Sequence, residues 1–221
     1  MLFIGQMELK NITHPEETYL LGKVNKMYIT TDGISSLANN FNERPKSLPA
    51  PVVKLGTINF TGEISGFFDN LVAFGKLSSS IGSIQTDLIF GSNKDKNIAA
   101  YLRGRIASSN LRLHELFGEN NPFGEARFDI NIDTRRPVGG NFSGNIQAQV
   151  KEFDYKAYKY KDINLSGNFR KSSFDGTIHV NDPNGELHAQ GIFQHQGQNS
   201  LFNFTARSII SGRPIEPDRQ I

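Results

Sequence analysis

The pentapeptide FTGEI, from Phe60 to Ile64, places a glycine between two large apolar residues and separates the three with polar residues. Four further segments repeat this pattern or vary it slightly: FSGNI (142–146), FDGTI (174–178), LRGRI (102–106) and LSGNF (165–169). In a β-strand, residues i, i+2 and i+4 lie on the same face of the sheet. The pattern therefore predicts strands with one apolar face and one polar face, as in a sheet that is solvated on one side.

The same alternation extends over the region after residue 52, where segments such as GSNKDKN, DTRRPVGG and NDPNGE supply turn signals. It predicts about ten to twelve strands in that region, joined mainly as an antiparallel meander. Helices are scarce. The segment TTDGISSLANNF predicts a short helix that begins at Thr31 or Asp32, and LRLHELFG predicts a second short helix that ends at Gly118.

Four regions follow from the composition along the chain. Residues 1–44 are predicted to form a separate small β piece, made of two strands and the first short helix. Residues 45–51 contain three prolines and are interpreted as an extended connector. Residues 52–206 form the repetitive sheet, and residues 207–221, which lack alternation, form an irregular tail.

Glycine at the centre of the apolar face needs a physical reason, because it costs conformational entropy and removes a side chain that packs. One reason is curvature, since a missing Cβ lets a sheet bend without collision. Another is a groove, in which large apolar walls and a glycine floor accommodate a chain-like ligand. A β-sandwich is the alternative, with each glycine leaving space for a residue of a facing sheet. The predicted groove-lining residues are Phe60, Gly62, Ile64, Leu102, Gly104, Ile106, Phe128, Ile130, Phe142, Gly144, Ile146, Leu165, Gly167, Phe169, Phe174, Gly176 and Ile178.

Composition excludes several classes of function. The chain of 221 residues has a net charge of +2, which argues against strong non-specific attraction to nucleic acid. It contains no cysteine, so disulfides, thiolate-bound zinc and thiol catalysis are excluded. It has no apolar run long enough to span a bilayer as a helix. Neither a P-loop nor a nucleophile-elbow motif is present, and we predict that the protein is not an enzyme and has no cofactor.

Two histidines are candidates for a metal site. A two-residue turn in NDPNGE places His179 opposite His188 across a hairpin. A stable site needs more than two ligands, and the pattern gives no reason for Glu186 or His195 to converge on this pair. We therefore interpret both histidines as polar residues of the solvated face and predict no metal.

Two other patterns could indicate a function, but each is also explained by ordinary solvent-exposed residues. Asp129 and Asp133 resemble the carboxylate pair of a glycosidase, but four residues along a strand separate them by about 13 Å, too far for the usual retaining geometry. Lysine and tyrosine alternate in KEFDYKAYKYKD (151–162), as in some binders of single-stranded nucleic acid. An amphipathic strand with a phase change at a turn or bulge gives the same pattern. We predict no catalytic pair and no nucleic-acid partner.

Longer segments resemble the TamB and AsmA-like envelope proteins of two-membrane bacteria. The matching segments are FTGEISG, DNLVAFG (69–75), IGSIQTDL (81–88) and LRGRIASSNLRLHELFGENNPFGEARFDINI, with the strongest likeness in YKAYKYKDINLSGNFRKSSFDGTIHVNDPNGELHAQGIF (155–193). Together these segments cover residues 52 to about 206.

The resemblance implies an elongated, curled antiparallel sheet, known as a β-taco or half-pipe, whose apolar trough shields phospholipid acyl chains. It also implies an outer-membrane β-barrel partner, support of lipid transport or of outer-membrane protein assembly and secretion, and a place in the periplasm. Members carry an inner-membrane anchor, so membrane contact is expected only through parts outside this chain, which is expected to be an internal fragment. The runner-up hypothesis is a closed β-sandwich that serves as a binding or structural repeat module of a surface protein.

Overall fold

The computed structural model describes residues 2–14, 17–40, 53–93, 95–118, 121–196 and 199–210. Two short helices are present in this part of the chain, α1 (Thr31–Asn40) and α2 (Leu113–Phe117). The strands are β1 (Leu2–Lys10), β2 (Tyr19–Ile29), β3 (Ile58–Phe67), β4 (Asn70–Ser79), β5 (Gly82–Asn93), β6 (Ile98–Arg112), β7 (Phe123–Pro137), β8 (Ser143–Tyr155), β9 (Tyr158–Arg170), β10 (Ser173–Asp182), β11 (Gly185–Gln196) and β12 (Asn199–Ile210).

The strands form one open, curled sheet in which each strand pairs with the next one along the chain. Every pairing is antiparallel, from β1–β2 to β11–β12. The predicted meander is confirmed, and so is the predicted number of strands after residue 52. The alternative β-sandwich is wrong, because all twelve strands belong to one sheet in chain order.

A single layer exposes far more surface than a compact fold. The accessible surface is 15727 Å² for a chain of 24.6 kDa, whereas a compact monomer of this mass exposes roughly 10,000 Å². Alternation alone does not decide between one sheet and two, because both architectures need the same apolar and polar faces.

The N-terminal strands join the main sheet. Strand β2 pairs with β3 from Tyr19↔Phe67 to Ile29↔Ile58, with a bulge between Val24 and Met27. The sequence predicts a separate piece for residues 1–44. In the structure, β2 has the same alternation of apolar and polar residues as β3 and pairs with it directly. The predicted connector at 45–51 lies outside the described residues.

The C-terminal boundary of the sheet also differs from the prediction. Strand β12 continues to Ile210 and pairs with β11 up to Gly185↔Ile210. Residues 207–210 therefore belong to the sheet and not to an irregular tail, because pairing with β11 supplies the order that the sequence pattern does not show. The remainder of the predicted tail, residues 211–221, lies outside the described part of the chain.

The turns explain the changes of phase in the sequence. Between β8 and β9, Lys156 and Ala157 have φ values of 49° and 65°. Positive φ at both central residues is the geometry of a type I′ hairpin turn. The phase change predicted within KEFDYKAYKYKD is therefore a two-residue turn, which pairs Tyr155 with Tyr158.

Few of the described residues are fully buried. Ile81, in the β4–β5 turn, is only 1% exposed, and its carbonyl accepts a hydrogen bond from the N–H of Arg112 at 2.8 Å. The other buried apolar residues lie on β2, β3, β6 and β7: Val24, Ile29, Ile58, Phe60, Leu111 and Ala126. The rest of the apolar surface stays partly accessible, because the described residues provide no second layer over it.

Helix α2 is held by aromatic contacts. The ring of Phe117 lies edge-on to Phe123 with centroids 5.8 Å apart, and Phe123 lies at the same distance from Phe153. Gly118 ends the helix as predicted, with its N–H donating to the carbonyl of His114 at 2.9 Å. Neither helix in the described residues has the length and hydropathy that crossing a membrane requires.

Candidate functional site

The predicted groove residues share one face of the sheet, which we call the apolar face. Directly paired residues of antiparallel strands lie on the same face, so the register defines four rows across the strands from β3 to β12. The first row is Phe60, Leu77, Ile84, Ser108, Phe128, Val150, Ile163, Val180, Leu187 and Ser208. The second is Gly62, Gly75, Thr86, Ile106, Ile130, Ala148, Leu165, Ile178, Ala189 and Ala206. The third is Ile64, Ala73, Leu88, Gly104, Ile132, Ile146, Gly167, Gly176, Gly191 and Phe204. The fourth is Gly66, Leu71, Phe90, Leu102, Thr134, Gly144, Phe169, Phe174, Phe193 and Phe202.

No position in these four rows carries a charged side chain. Three of the hydroxyl residues in the rows donate to backbone carbonyls of a neighbouring strand. Ser108 Oγ lies 2.7 Å from the carbonyl oxygen of Ser83, and Thr134 Oγ1 lies 3.1 Å from that of Ser143. Thr86 Oγ1 contacts the carbonyl of Gly75 at 3.4 Å. The hydroxyl groups of these three residues are thus satisfied within the sheet.

The glycines of the apolar face lie where neighbouring strands approach too closely for a side chain. A Cβ on Gly62 would lie 2.1 Å from the carbonyl oxygen of Phe74 and 2.6 Å from Cα of Gly75. At Gly104, a Cβ would lie 2.0 Å from the carbonyl oxygen of Asp87, and φ is 129°. Both separations are below van der Waals contact, so glycine is required there. This favours curvature as the reason for the repeated glycine.

A phenylalanine two residues before the glycine covers the resulting gap. A Cβ on Gly167 or on Gly176 would lie 2.6 or 2.7 Å from Cζ of Phe174. Similarly, a Cβ on Gly75 would lie 3.0 Å from Cε2 of Phe60. The ring therefore lies over a cross-strand pair of glycines, an arrangement that protects bare backbone in sheets. The floor that the sequence predicted as open is thus partly covered by the phenylalanine of the same motif.

Phe142 differs from the other predicted groove residues. It precedes β8, its side chain is 45% exposed, and the guanidinium carbon of Arg136 lies 5.6 Å from its ring centroid. Pairing of β8 with β9 begins only at Ser143, because the loop after β7 lies immediately before it. The four rows therefore contain every predicted groove residue except Phe142, which lies at the end of the strand.

The opposite face is polar and carries cross-strand ion pairs. Arg103 Nε lies 2.9 Å from Asp133 Oδ2, and Arg105 Nε lies 2.7 Å from Asp129 Oδ1. A second contact, from Nη2 of Arg105 to Oδ2 of Asp129, makes that pair bidentate. The side-chain hydrogen bond from Arg105 lowers the pKa of Asp129. Asp129 and Asp133, the two aspartates considered above as a glycosidase pair, therefore each form an ion pair with an arginine on the neighbouring strand.

The polar face contains clefts between its side chains. One of about 440 Å³ runs between Arg105, Asn131, Gln147, Thr177 and His179. A longer one of about 1060 Å³ extends from Asn70 on β4 to Ile192 on β11 and is lined by side chains of both charges. These clefts run between rows of hydrated side chains, whereas the apolar rows form a broad accessible surface.

A histidine–carboxylate cluster, formed by His179, Glu186 and His188, lies beside the smaller cleft. His179 pairs with His188 across the β10–β11 hairpin, as predicted. The imidazole rings stack with their centroids 3.8 Å apart and 14° between their planes. Nε2 of His188 lies 2.9 Å from Oε1 of Glu186, and Nε2 of His179 lies 3.1 Å from the same oxygen. Hydrogen bonds from His188 and His179 lower the pKa of Glu186.

The sequence pattern gave no reason for Glu186 to converge on the two histidines, and that expectation is wrong. Glu186 lies two residues before His188 in β11, and so the two residues share the polar face. Its register partner is Asn181, two residues after His179, which places Glu186 diagonally across from that histidine. Side chains on such diagonals are within reach of long residues. The register that pairs His179 with His188 also pairs Asn181 with Glu186, two residues nearer the turn. The predicted turn is therefore sufficient to place Glu186 near both histidines.

Comparisons with known proteins do not assign the chain to a family. No protein-family model matches it, and neither a curated protein nor a solved structure matches it significantly. Its class is therefore defined by architecture: a single-layer, open antiparallel β-sheet protein with four uncharged rows of residues on one face.

Proposed function

We propose that this chain is a non-enzymatic segment of a periplasmic scaffold that shields lipid acyl chains along its apolar face. In this proposal it supports outer-membrane lipid transport or the assembly and secretion of outer-membrane proteins, together with an outer-membrane β-barrel partner. The full-length protein is anchored in the inner membrane. The observation that carries the proposal is the absence of charge from four rows that continue from β3 to β12.

The chemistry of the face suits an acyl chain. Burial of one methylene contributes roughly 0.8 kcal/mol, so about ten methylenes contribute on the order of 8 kcal/mol before ordering costs. The hydroxyl groups of Ser108 and Thr134 already donate to backbone carbonyls. In the rows from β3 to β11, a guest therefore meets no fixed polar anchor, and we expect it to move along them.

Exposure supports the same proposal. Soluble monomers rarely leave contiguous apolar patches of more than a few hundred Å² accessible, and larger patches mark binding surfaces. Here the apolar rows continue to the last described strand, where Phe202 and Phe204 are 61% and 55% exposed. A surface of this extent favours a hydrophobic occupant.

Site-specific photo-crosslinking tests the proposal. A benzoyl-phenylalanine is placed at Leu165 or Ile178, which are cross-strand partners on the apolar face. The matched controls are Ser166 and Thr177, the next residues along each strand, which lie on the polar face. After irradiation with radiolabelled phospholipid vesicles, we expect lipid adducts from the first pair and few from the second. Equal yields from both faces, or adducts from neither, would contradict the proposal.

A further inference from the structure

We propose that His179, Glu186 and His188 form a binding site for a divalent transition-metal ion of the zinc class. This inference is independent of the proposed lipid function, because the three residues lie on the polar face of β10 and β11. It rests on the convergence of two imidazole nitrogens on one carboxylate oxygen.

The geometry of the cluster is close to that of a coordination site. The three ligand atoms all lie within 4.8 Å of one another, and each histidine Nε2 lies within 3.1 Å of Oε1 of Glu186. Zinc bonds of about 2.0–2.2 Å in a tetrahedral site place neighbouring ligand atoms roughly 3.3 Å apart. The ligand atoms that lie farthest apart would therefore have to approach each other by up to about 1.5 Å for one ion to contact all three.

Charge also favours a cation at this point. Both Nε2 atoms are directed at the same oxygen, and both must carry a proton if both donate to it. A bound metal ion would instead accept the Nε2 lone pairs of two neutral imidazoles, whose ring protons would then lie on Nδ1, and a lone pair of the carboxylate. Arg207, the register partner of His188, carries a positive charge that opposes cation binding, but its side chain is exposed to solvent.

The ligand set defines the class of metal. Two imidazoles and one carboxylate suit Zn²⁺ and neighbouring ions such as Ni²⁺ and Cu²⁺, whereas Mg²⁺ and Ca²⁺ prefer oxygen ligands. Three protein ligands leave at least one coordination position open. His179 lines the cleft of about 440 Å³, so a water molecule or a small anion has access to that position.

Zinc titration of the metal-free full chain tests the site. A chromogenic zinc indicator competes for the ion, and we expect one Zn²⁺ per chain. The substitutions His179→Ala, His188→Ala and Glu186→Gln should each weaken binding at least tenfold, since even outer-shell changes at metal sites cost about that much. His114→Ala is the matched control, because His114 lies 3.8 Å from Glu115 without a second histidine in that contact.

Two results would overturn the inference. One is the absence of stoichiometric zinc binding by the unsubstituted chain, in which case the cluster is only hydrogen-bonded. The other is an affinity that changes equally in the cluster variants and in His114→Ala. Far-UV circular dichroism establishes that each variant is folded, and Glu186→Gln keeps the shape of the side chain. Imidazole ¹⁵N resonances of His179 and His188 that shift together on addition of zinc provide direct support.

Discussion

At the scale of single residues, the repeated motif combines two roles. Glycine allows adjacent strands to approach until a Cβ would collide with backbone, as at Gly62. Phenylalanine two positions earlier lies on the same face and covers the bare backbone, as Phe174 does over Gly167 and Gly176. The spacing of two is required because only i and i+2 share a face. The motif therefore bends the sheet while limiting the backbone area exposed to water.

The role of glycine predicts a sharp difference between two positions on the apolar face. Gly62→Ala should lower the free energy of unfolding by about 3 kcal/mol, because overpacking and a disfavoured backbone conformation each cost roughly 1–3 kcal/mol. Gly22→Ala is the control, since a Cβ there would meet only the carbonyl oxygen of Ile64, at 3.5 Å. Urea unfolding measures both variants. Equal losses would show that close strand approach is not the reason for glycine at position 62.

The role of phenylalanine predicts a second contrast. Phe174→Ala should destabilise the protein by about 2 kcal/mol, somewhat less than the loss of a fully buried phenylalanine, because the ring covers two glycines. Phe142→Ala should change stability by less than about 0.5 kcal/mol, since that side chain is exposed at the end of a strand. Both phenylalanines precede the motif glycine by two residues. A comparable loss in the two variants would argue against the covering role.

At the scale of secondary-structure elements, β6 and β7 are joined on the polar face by arginine–aspartate pairs. Arg103 contacts its direct register partner Asp133, whereas Arg105 reaches Asp129 diagonally. The folded state therefore favours the ionised form of Asp129, whose pKa is lowered. A carboxylate with a depressed pKa stabilises the fold above its unfolded-state pKa and loses that contribution as pH falls through the folded value.

The Arg105–Asp129 pair predicts a specific pH titration. In Arg105→Gln, the pKa of Asp129 should rise towards the ordinary aspartate value of about 3.9, because its principal hydrogen-bond donor is lost. The stability difference from the unsubstituted chain should then be present at neutral pH and disappear in acid. NMR titration of the side-chain carboxyl carbon follows the pKa. Arg103→Gln is the control, and an unchanged Asp129 titration in Arg105→Gln would exclude the pairing.

At the scale of the whole molecule, the open sheet has two edges. Among the described residues, β1 and β12 each pair with a single strand, on one side. Both carry exposed apolar side chains, including Met7 on β1 and Phe202 and Phe204 on β12. An exposed strand with unpaired backbone groups and apolar side chains is a template for pairing with another chain.

We therefore expect the isolated chain to self-associate in a concentration-dependent manner. The double substitution Phe202→Lys and Phe204→Lys should reduce this association, because inward-pointing charges on an edge strand oppose strand addition. Gln147→Lys with Gln149→Lys adds the same charge to β8, in the interior of the sheet, and should have much less effect. Multi-angle light scattering measures the mass. A monomer at high concentration, without substitutions, is incompatible with this prediction.

Local periodicity predicted much of the fold, because strand faces follow from residues two positions apart. It placed Gly62, Gly104 and Ile130 on one face, and it paired His179 with His188 once the turn was recognised. It did not decide between an open sheet and a sandwich, since both need the same alternation. It also did not locate the start of β8, which begins at Ser143, one residue after Phe142.

The histidine cluster shows a different limit of the sequence. The approach of Glu186 to His179 is diagonal, and it depends on side-chain conformation as well as on register. Alternation assigns each residue to a face but does not say which diagonal neighbours touch. The sequence likewise left several explanations for the glycine at position 62. The close approach of β3 to β4 at Gly62 favours one of them, curvature of the sheet.

The pairing of every strand with its immediate successor has a consequence for how such a molecule changes length. Each hairpin is held mainly by the hairpins on either side, so stability accumulates from nearest neighbours, as in repeat proteins. Insertion or deletion of two strands therefore alters mainly the contacts of the strands that flank the change. Genetic duplication of a hairpin therefore lengthens the structure without a new fold, and mechanical tension applied to its two termini should peel it apart one strand at a time.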